Sequence, residues 1–170
     1  MAVIHSEKRS DSVPCAIQKM PDVPLPPKIS QTLSKEERLS RKKIIEVLYD
    51  KGASIKTPAI ILVYHFTELP CEYPAQVMFA ASKRIFKRAH DRNRVKRLLR
   101  EAYRKQKHIV YTSLHERKTQ AALLFIFTGR QLPNYAYAHG KISELLKRFN
   151  EELKKPASTN DVAGDKKKTA

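Results

Sequence analysis

The chain has 170 residues, 34 of them Lys or Arg and 17 Asp or Glu, so its formal net charge is +17 at pH 7. Domains usually contain about 50–250 residues, so this length excludes a large multidomain enzyme. Hydrophobic residues make up 41% of the sequence. That content is sufficient for a core and argues against a chain that is disordered throughout, while the excess positive charge predicts a polyanionic partner.

Composition divides the chain into three parts. Residues 1–32 contain several prolines and no hydrophobic periodicity, which predicts a disordered, extended segment. Residues 154–170 are mostly small, polar or charged and have little to bury, so they are predicted to be a disordered tail. The remaining residues, 33–153, are predicted to form one folded domain.

The first helix is predicted to end at Gly52, since glycine is common just after a last helical turn. The apolar positions with helical spacing are Ile44, Ile45, Leu48 and Tyr49. Two starting positions for this helix remain open. Ser34 with Glu37 three residues later matches a capping box, whereas Ser40 could cap a shorter helix.

Two strands are predicted next, at residues 58–66 and 74–82. Both segments are rich in β-branched and aromatic side chains, which fit the pleated surface of a sheet. Residues 68–70 lie between them and end on a proline. This short segment predicts a hairpin-like connection between the two strands.

The second half of the domain is predicted to contain a helix at about 91–106, a strand at 120–128 that Gly129 ends, and a last helix at 136–153. The last helix has one apolar face, formed by Ile142, Leu145, Leu146, Phe149 and Leu153. The order of helix, two strands, helix, strand and helix predicts a small α+β domain.

More than half of the excess positive charge lies in residues 83–107, where twelve Lys or Arg face two acids, Asp91 and Glu101. At about 100° per residue, one side of the helix is apolar: Val95, Leu98, Leu99, Ala102 and Tyr103. The other side is polar and mostly basic: Asn93, Lys96, Arg97, Arg100 and Arg104. Such a helix can pack on a sheet and present guanidinium groups, which match phosphate oxygens. It predicts contact with a nucleic-acid backbone.

Two other interpretations of this basic helix remain open. The first is a solvated charged face, although such faces usually alternate charges to gain i,i+4 pairs of about 0.2–0.5 kcal/mol each. The second is an acidic lipid surface, but the apolar side has no Trp or Phe and is needed for the core. Apolar runs such as residues 59–64 and 123–127 are also far shorter than the roughly 20 residues of a membrane helix. We therefore expect no membrane partner.

No apolar segment typical of a signal peptide occurs at the N-terminus, so we expect a cytoplasmic protein. Cys15 and Cys71 are the two cysteines, and they do not suggest a disulfide framework. The six histidines form no i,i+4 pair, and no Cys-x-x-Cys accompanies them. We therefore expect no metal held by the protein.

Residues 92–104 closely resemble the R-N-R helix of the protein subunits of bacterial ribonuclease P. Other matches follow the order of that family: Arg38 and Leu39, Gly52, residues 81–83, residues 86–87 and the closing strand-loop-helix. The resemblance covers about residues 38–150. It implies an α-β sandwich with a left-handed βαβ crossover, a handedness that general topology rules would not predict.

The resemblance also implies a function. In this family a large catalytic RNA, together with magnesium, cuts the 5′ leader from precursor tRNA, and the protein assists it. The implied partners are therefore the ribonuclease P catalytic RNA and precursor tRNA, with no further protein partner required. We expect no catalytic residue and no cofactor held by this chain alone, with magnesium present in the RNA-containing holoenzyme.

The basic segment and the resemblance together give candidate residues for two contacts. The RNA-binding candidates are Lys83, Lys87, Arg88, Arg92, Asn93, Arg94, Lys96, Arg97, Arg100 and Arg104. The 5′ leader would bind a cleft between the first helix and the sheet, at Ile45, Tyr49 and Tyr64. Aromatic rings stack on unpaired bases for about 1–3 kcal/mol each, whereas Ile45, in place of the family's usual Phe, offers apolar contact. Core packing remains the alternative for Tyr49 and Tyr64, and the register of Tyr64 can differ by one residue.

Two rival functions remain open. One is a nuclease that works without RNA, although Asp91 and Glu101 are too few carboxylates for a two-metal site in the basic segment, and Asp91 is better explained as a helix cap. Glu151 or Glu152 near Lys154 could mimic a nuclease motif, but they lie on the closing helix beside the predicted disordered tail. The other rival is a ribosomal or general RNA-binding protein, since small basic α+β domains are common there.

Overall fold

The computed structural model describes residues 31–154, so the predicted extension and tail lie almost entirely outside it. The elements are α1 (Lys42–Lys51), β1 (Ala53–Lys56), β2 (Ile60–Phe66), β3 (Ala75–Ala81), α2 (Ala89–Glu116), β4 (Ala121–Phe127) and α3 (Tyr135–Lys154). Three helices and a four-stranded mixed sheet confirm the predicted α+β class. Within this part of the chain, no helix is both long enough and apolar enough to cross a membrane.

The sheet has the strand order β1-β2-β4-β3. β1 and β4 both run antiparallel to β2, whereas β3 is parallel to β4 and is joined to it through α2. The predicted hairpin-like connection at residues 68–70 is therefore wrong, because β4 lies between β2 and β3. The sheet's hairpin is formed by β1 and β2, with Ala53 opposite Tyr64. β1 was not predicted, since its four residues are too few to show a periodicity.

The two faces of the sheet are covered by different helices. α2 and α3 pack on one face, around a core that includes Leu62, Leu123 and Phe125. α1 packs on the other face, where Leu48 and Leu124 are fully buried. Successive side chains of a strand point to opposite faces, so apolar residues are needed at nearly every position of the central strands. The predicted apolar face of α3 is buried throughout.

α1 begins at Lys42, later than either predicted start, and its N-cap residue Arg41 makes no side-chain capping bond. The two bonds of the predicted capping box do form. The Ser34 N–H donates to Glu37 Oε2 at 2.6 Å, and the Glu37 N–H donates to Ser34 Oγ at 3.3 Å. They close a turn instead of starting a helix, because the following residues run beside β3, where the Val77 N–H donates to the Glu37 carbonyl at 2.8 Å.

The side chain of Glu37 fixes this N-terminal segment to α2. The carboxylate is 1% exposed and accepts hydrogen bonds from Lys107 Nζ and from the Tyr111 hydroxyl, the latter at 2.5 Å. Lys107 Nζ also donates to the Thr32 carbonyl at 2.7 Å. Burial raises the pKa of Tyr111, so the phenol stays protonated and remains a donor. A buried carboxylate is thus paired and hydrogen-bonded, as its burial requires.

This pairing explains why α2 extends ten residues beyond its predicted end. Gln106 and Lys107 are buried, although polar residues in a sequence usually indicate positions exposed to solvent. Gln106 Nε2 donates to the His139 carbonyl of α3 at 3.1 Å, and Lys107 binds Glu37. Val110 and Leu114 then continue the buried stripe to the end of the helix.

α1 ends at Gly52, and glycine is needed at this position for steric reasons. Its φ of −72° is open to any residue, so a left-handed conformation is not what requires glycine here. A Cβ at this position would lie 2.2 Å from the Leu48 carbonyl oxygen and 2.7 Å from Val63 Cγ1. Glycine therefore allows the end of α1 to approach β2 closely.

Gly52→Ala is expected to lower the free energy of unfolding by about 1–3 kcal/mol, because backbone and β2 must move to admit the methyl group. Gly140→Ala in α3 is the matched control, since nothing lies within 4 Å of the new Cβ. That change should raise the free energy of unfolding by about 0.5–1 kcal/mol. Urea denaturation followed by circular dichroism measures both, and a Gly52→Ala protein as stable as the wild type would contradict the close approach.

Candidate nucleic-acid interface

α2 packs on the sheet through the apolar side that its sequence predicts. Val95, Leu99, Ala102 and Tyr103 are all 0% exposed. The ring of Tyr103 lies 5.5 Å from that of Phe125, centroid to centroid. Leu98, predicted on the same side, is only half-buried. The helix is thus held by a continuous apolar contact along one side.

The opposite side of α2 faces outward. Asn93, Arg94 and Arg97 are exposed, and Lys96 and Arg100 are half-buried. Within residues 31–154, none of these four basic side chains takes part in an ion pair. Their positive charges are therefore available to a partner.

Two of the predicted RNA-binding arginines have partners inside the molecule. Arg104 donates to both carboxylate oxygens of Glu101, from Nε at 2.8 Å and from NH2 at 2.5 Å, and its NH1 donates to the Gln31 carbonyl at 2.5 Å. The hydrogen bond from Arg104 lowers the pKa of Glu101. Arg92 donates from NH1 to the carbonyls of Phe86 and Lys87. The outward row of free guanidinium groups is therefore shorter than the sequence predicts.

A basic loop of residues 83–88 precedes α2. Its exposed basic side chains are Lys83, Arg84, Lys87 and Arg88. Arg88 is the N-cap residue, without a side-chain capping bond. The prediction that Asp91 caps the helix is therefore wrong: Asp91 lies in the first turn, where its Oδ1 is 2.9 Å from His90 Nε2.

α1 covers only part of its face of the sheet, where several apolar side chains stay partly exposed. Ile45 packs partly buried against the apolar cluster under α1. Tyr49, one turn later, is 58% exposed. Met78 and Ile126 present partly exposed apolar side chains on the same sheet face. Ile45 and Tyr49 thus share one surface with an open apolar part of the sheet.

Tyr64 does not belong to this surface, which corrects the predicted cleft. Its ring lies on the opposite face of the sheet, 6% exposed, with its centroid 5.1 Å from that of Phe149 in α3. The alternation along β2 turns Val63 and His65 toward α1 instead, which is a shift of one residue. Burial and the charge of Lys51 lower the pKa of His65. The polar His65 was the signal in the sequence that its face is the less buried one.

A second basic surface was not singled out from the sequence. The residues Arg41, Lys42, Lys43, Ile44, Glu68, Leu69 and Pro70 line an open groove of about 620 Å³ between the start of α1 and the loop before β3. The sequence indicates only a solvated side of the first helix there. In the described residues, no group of three or more His, Cys, Asp or Glu side chains is arranged to hold a metal ion.

The fold and its basic helix define a small, basic α+β protein. The family model of ribonuclease P matches residues 33–150. The ribonuclease P protein component of Porphyromonas gingivalis is 33% identical over 130 residues, covering 76% of this chain and 94% of that protein. That of Chlorobium phaeobacteroides is 34% identical over 125 residues, covering 68% of this chain and 86% of that protein. The chain belongs to the ribonuclease P protein family, as its R-N-R helix predicts.

Solved structures show the same fold at low sequence identity. The RNase P protein of Staphylococcus aureus superposes with a TM-score of 0.54 at 16% identity, covering 66% of this chain and 94% of that one. The RNase P protein of Thermotoga maritima superposes with a TM-score of 0.53 at 16% identity, covering 65% of this chain and 96% of that one. The likeness supports the architecture described above.

Tyr64→Ala is expected to lower the free energy of unfolding by about 3 kcal/mol or more, because it removes a buried ring from the core. Tyr49→Ala is the matched control and should change it by less than about 1 kcal/mol, since that ring is 58% exposed. Denaturant titration of both variants gives the comparison. Equal losses would contradict the assignment of the two tyrosines to core and surface.

Proposed function

We propose that this chain is the protein subunit of ribonuclease P, which binds the catalytic RNA and the 5′ leader of precursor tRNA. It assists the magnesium-dependent endonucleolytic removal of the leader that gives the mature tRNA 5′ end. The observation that supports this most is the outward side of α2 in a ribonuclease P family member, where Arg94, Lys96, Arg97 and Arg100 have no acidic partner within residues 31–154. RNA phosphates would supply the missing negative charge.

The proposed mechanism is indirect. Arg94, Arg97 and Arg100, with Asn93 and Lys96, would contact phosphates where the catalytic RNA and the precursor approach each other. Neutralising these phosphates lowers the repulsion between the two RNAs and fixes their relative position. The RNA subunit carries the catalysis, and magnesium belongs to the RNA-containing holoenzyme. We propose no catalytic residue in this chain, and we expect the ribonucleoprotein in the cytoplasm.

The leader would follow the cleft beside α1. The exposed ring of Tyr49 can stack on an unpaired base, and Ile45, one turn earlier, and Met78, on the same face of the sheet, would provide apolar contact. Tyr64 is left out of this proposal, because its ring is buried on the other face of the sheet. Stacking does not read base identity, so the cleft would accept leaders of different sequence.

Replacing Arg94, Arg97 and Arg100 together by Ala is expected to weaken binding to a bacterial ribonuclease P RNA strongly. The slope of log affinity against log salt should become shallower by about 0.7–0.9 for each lost phosphate contact, because fewer counterions are released. Filter binding over a range of salt concentrations measures both quantities.

The matched control removes three exposed charges elsewhere, by replacing Arg117, Lys147 and Lys154 with Ala. It has the same net charge as the α2 variant, so a general effect of charge would change both variants equally. A salt slope that is unchanged in the α2 variant, or changed equally in both, would contradict the proposed interface.

Tyr49→Ala is expected to weaken binding of leader-bearing precursor tRNA to the holoenzyme about fivefold or more, since a lost stack costs about 1–3 kcal/mol. Binding of mature tRNA, which has no leader, should change less than twofold. Val47→Ala, also partly exposed on α1, serves as the control. Equal losses for precursor and mature tRNA would remove Tyr49 from the leader contact.

A further inference from the structure

The loop of residues 83–88 concentrates charge at the start of α2. All four of its basic side chains are exposed, and the loop contains no acidic residue. Like charges at such short separation repel one another, so an unrestrained loop would spread them apart. For phosphate contact, the loop must instead keep a shape in which these side chains point outward together.

One buried ring and two hydrogen bonds to Ser82 fix the first half of the loop. The ring of Phe86 is 6% exposed, with its centroid 5.9 Å from that of Phe127 at the end of β4. The Phe86 N–H donates to the Ser82 carbonyl at 3.0 Å, and the Arg84 N–H donates to Ser82 Oγ at 3.2 Å. The buried ring and these two bonds hold residues 82–86 against the sheet.

Arg92 fixes the second half of the loop. Its NH1 donates to the Phe86 carbonyl at 2.8 Å and to the Lys87 carbonyl at 2.7 Å. The N-cap residue Arg88 has no side-chain capping bond, whereas the guanidinium of Arg92 links the first turn of α2 to the loop through these two hydrogen bonds. Arg97, in contrast, is exposed and has no ion pair within residues 31–154.

We propose that Arg92 is a positioning residue, which holds the basic loop in the shape that binds RNA phosphates instead of being a main phosphate contact itself. This inference rests on the proposed function. A loop already ordered in the free protein loses less conformational freedom on binding, so Lys87 and Arg88 contribute more to affinity. Arg92 thus acts through these two neighbours, although it belongs to the R-N-R segment.

A double-mutant cycle tests this role, because residues that act through one another are not additive. Full-length protein is titrated with a bacterial ribonuclease P RNA transcribed in vitro. Arg92→Ala is measured in the wild-type loop and in a loop variant that carries Lys87→Gln and Arg88→Gln. Arg97→Ala is measured in the same two backgrounds as the control.

We expect Arg92→Ala to weaken RNA binding at least fivefold in the wild-type loop and less than twofold in the loop variant. Arg97→Ala should weaken binding by the same factor in both backgrounds, within twofold. In free protein, Arg92→Ala should also speed hydrogen exchange of the Phe86 amide, whereas Arg97→Ala should not. If Arg92→Ala does not fold, Arg92→Gln replaces it in the cycle with the same criteria.

The positioning role is overturned if Arg92→Ala weakens RNA binding by the same factor in both backgrounds, as the loss of a direct phosphate contact would. It is equally overturned if Arg92→Ala has no effect in the wild-type loop, or if the loop variant binds RNA as well as the wild type. In each of these cases, the proposed function still stands if Arg97→Ala weakens RNA binding. If neither the loop variant nor Arg97→Ala weakens binding, the proposed function fails as well.

Discussion

One side of α2 is buried against the sheet, and the direction of the basic side chains on this helix depends on that contact. Val95, Leu99 and Tyr103 are wholly removed from water, and burial of apolar surface contributes about 25 cal/mol per Å². Because side chains repeat every 3.6 residues, fixing one side of the helix also fixes the other. Arg94 and Arg97 are therefore held facing outward before any partner binds, which reduces the ordering cost of binding.

The basic residues of α2 divide into two groups by what they contact. Lys107 and Arg104 act within the fold, where they bind Glu37 and Glu101 and tie the segment before α1 to the helix. Removing a charge from water costs several kcal/mol, which a pair repays only with good geometry and further hydrogen bonds. The hydroxyl of Tyr111 supplies one such bond to Glu37. In the N-terminal half of α2, Arg94, Lys96, Arg97 and Arg100 keep their charge outward, so the helix combines a structural half with an outward basic half.

The sequence predicts the features that depend on local periodicity, such as the buried stripe of α2 and the apolar face of α3. Features that depend on distant contacts were missed. The full length of α2 requires Lys107 to meet Glu37, and the pairing of β2 with β4 requires the chain to return through α2. The face of Tyr64 depends on one residue of register, and His65 is the one side chain of β2 that marks the less buried face, since the other residues of the strand are aliphatic or aromatic. The outward basic row of α2 was predictable, but the internal partners of Arg92 and Arg104 include backbone carbonyls that no residue pattern reveals.

The central claim is that α2 serves an RNA that performs the cleavage itself. The most direct test follows leader release from precursor tRNA at low magnesium with a bacterial ribonuclease P RNA alone, with this protein alone and with both. The account predicts little release with either component alone and rapid release with both, because the protein reduces the repulsion between the two RNAs. Robust cleavage by the protein without the RNA subunit, or no stimulation when the two are combined, would contradict it.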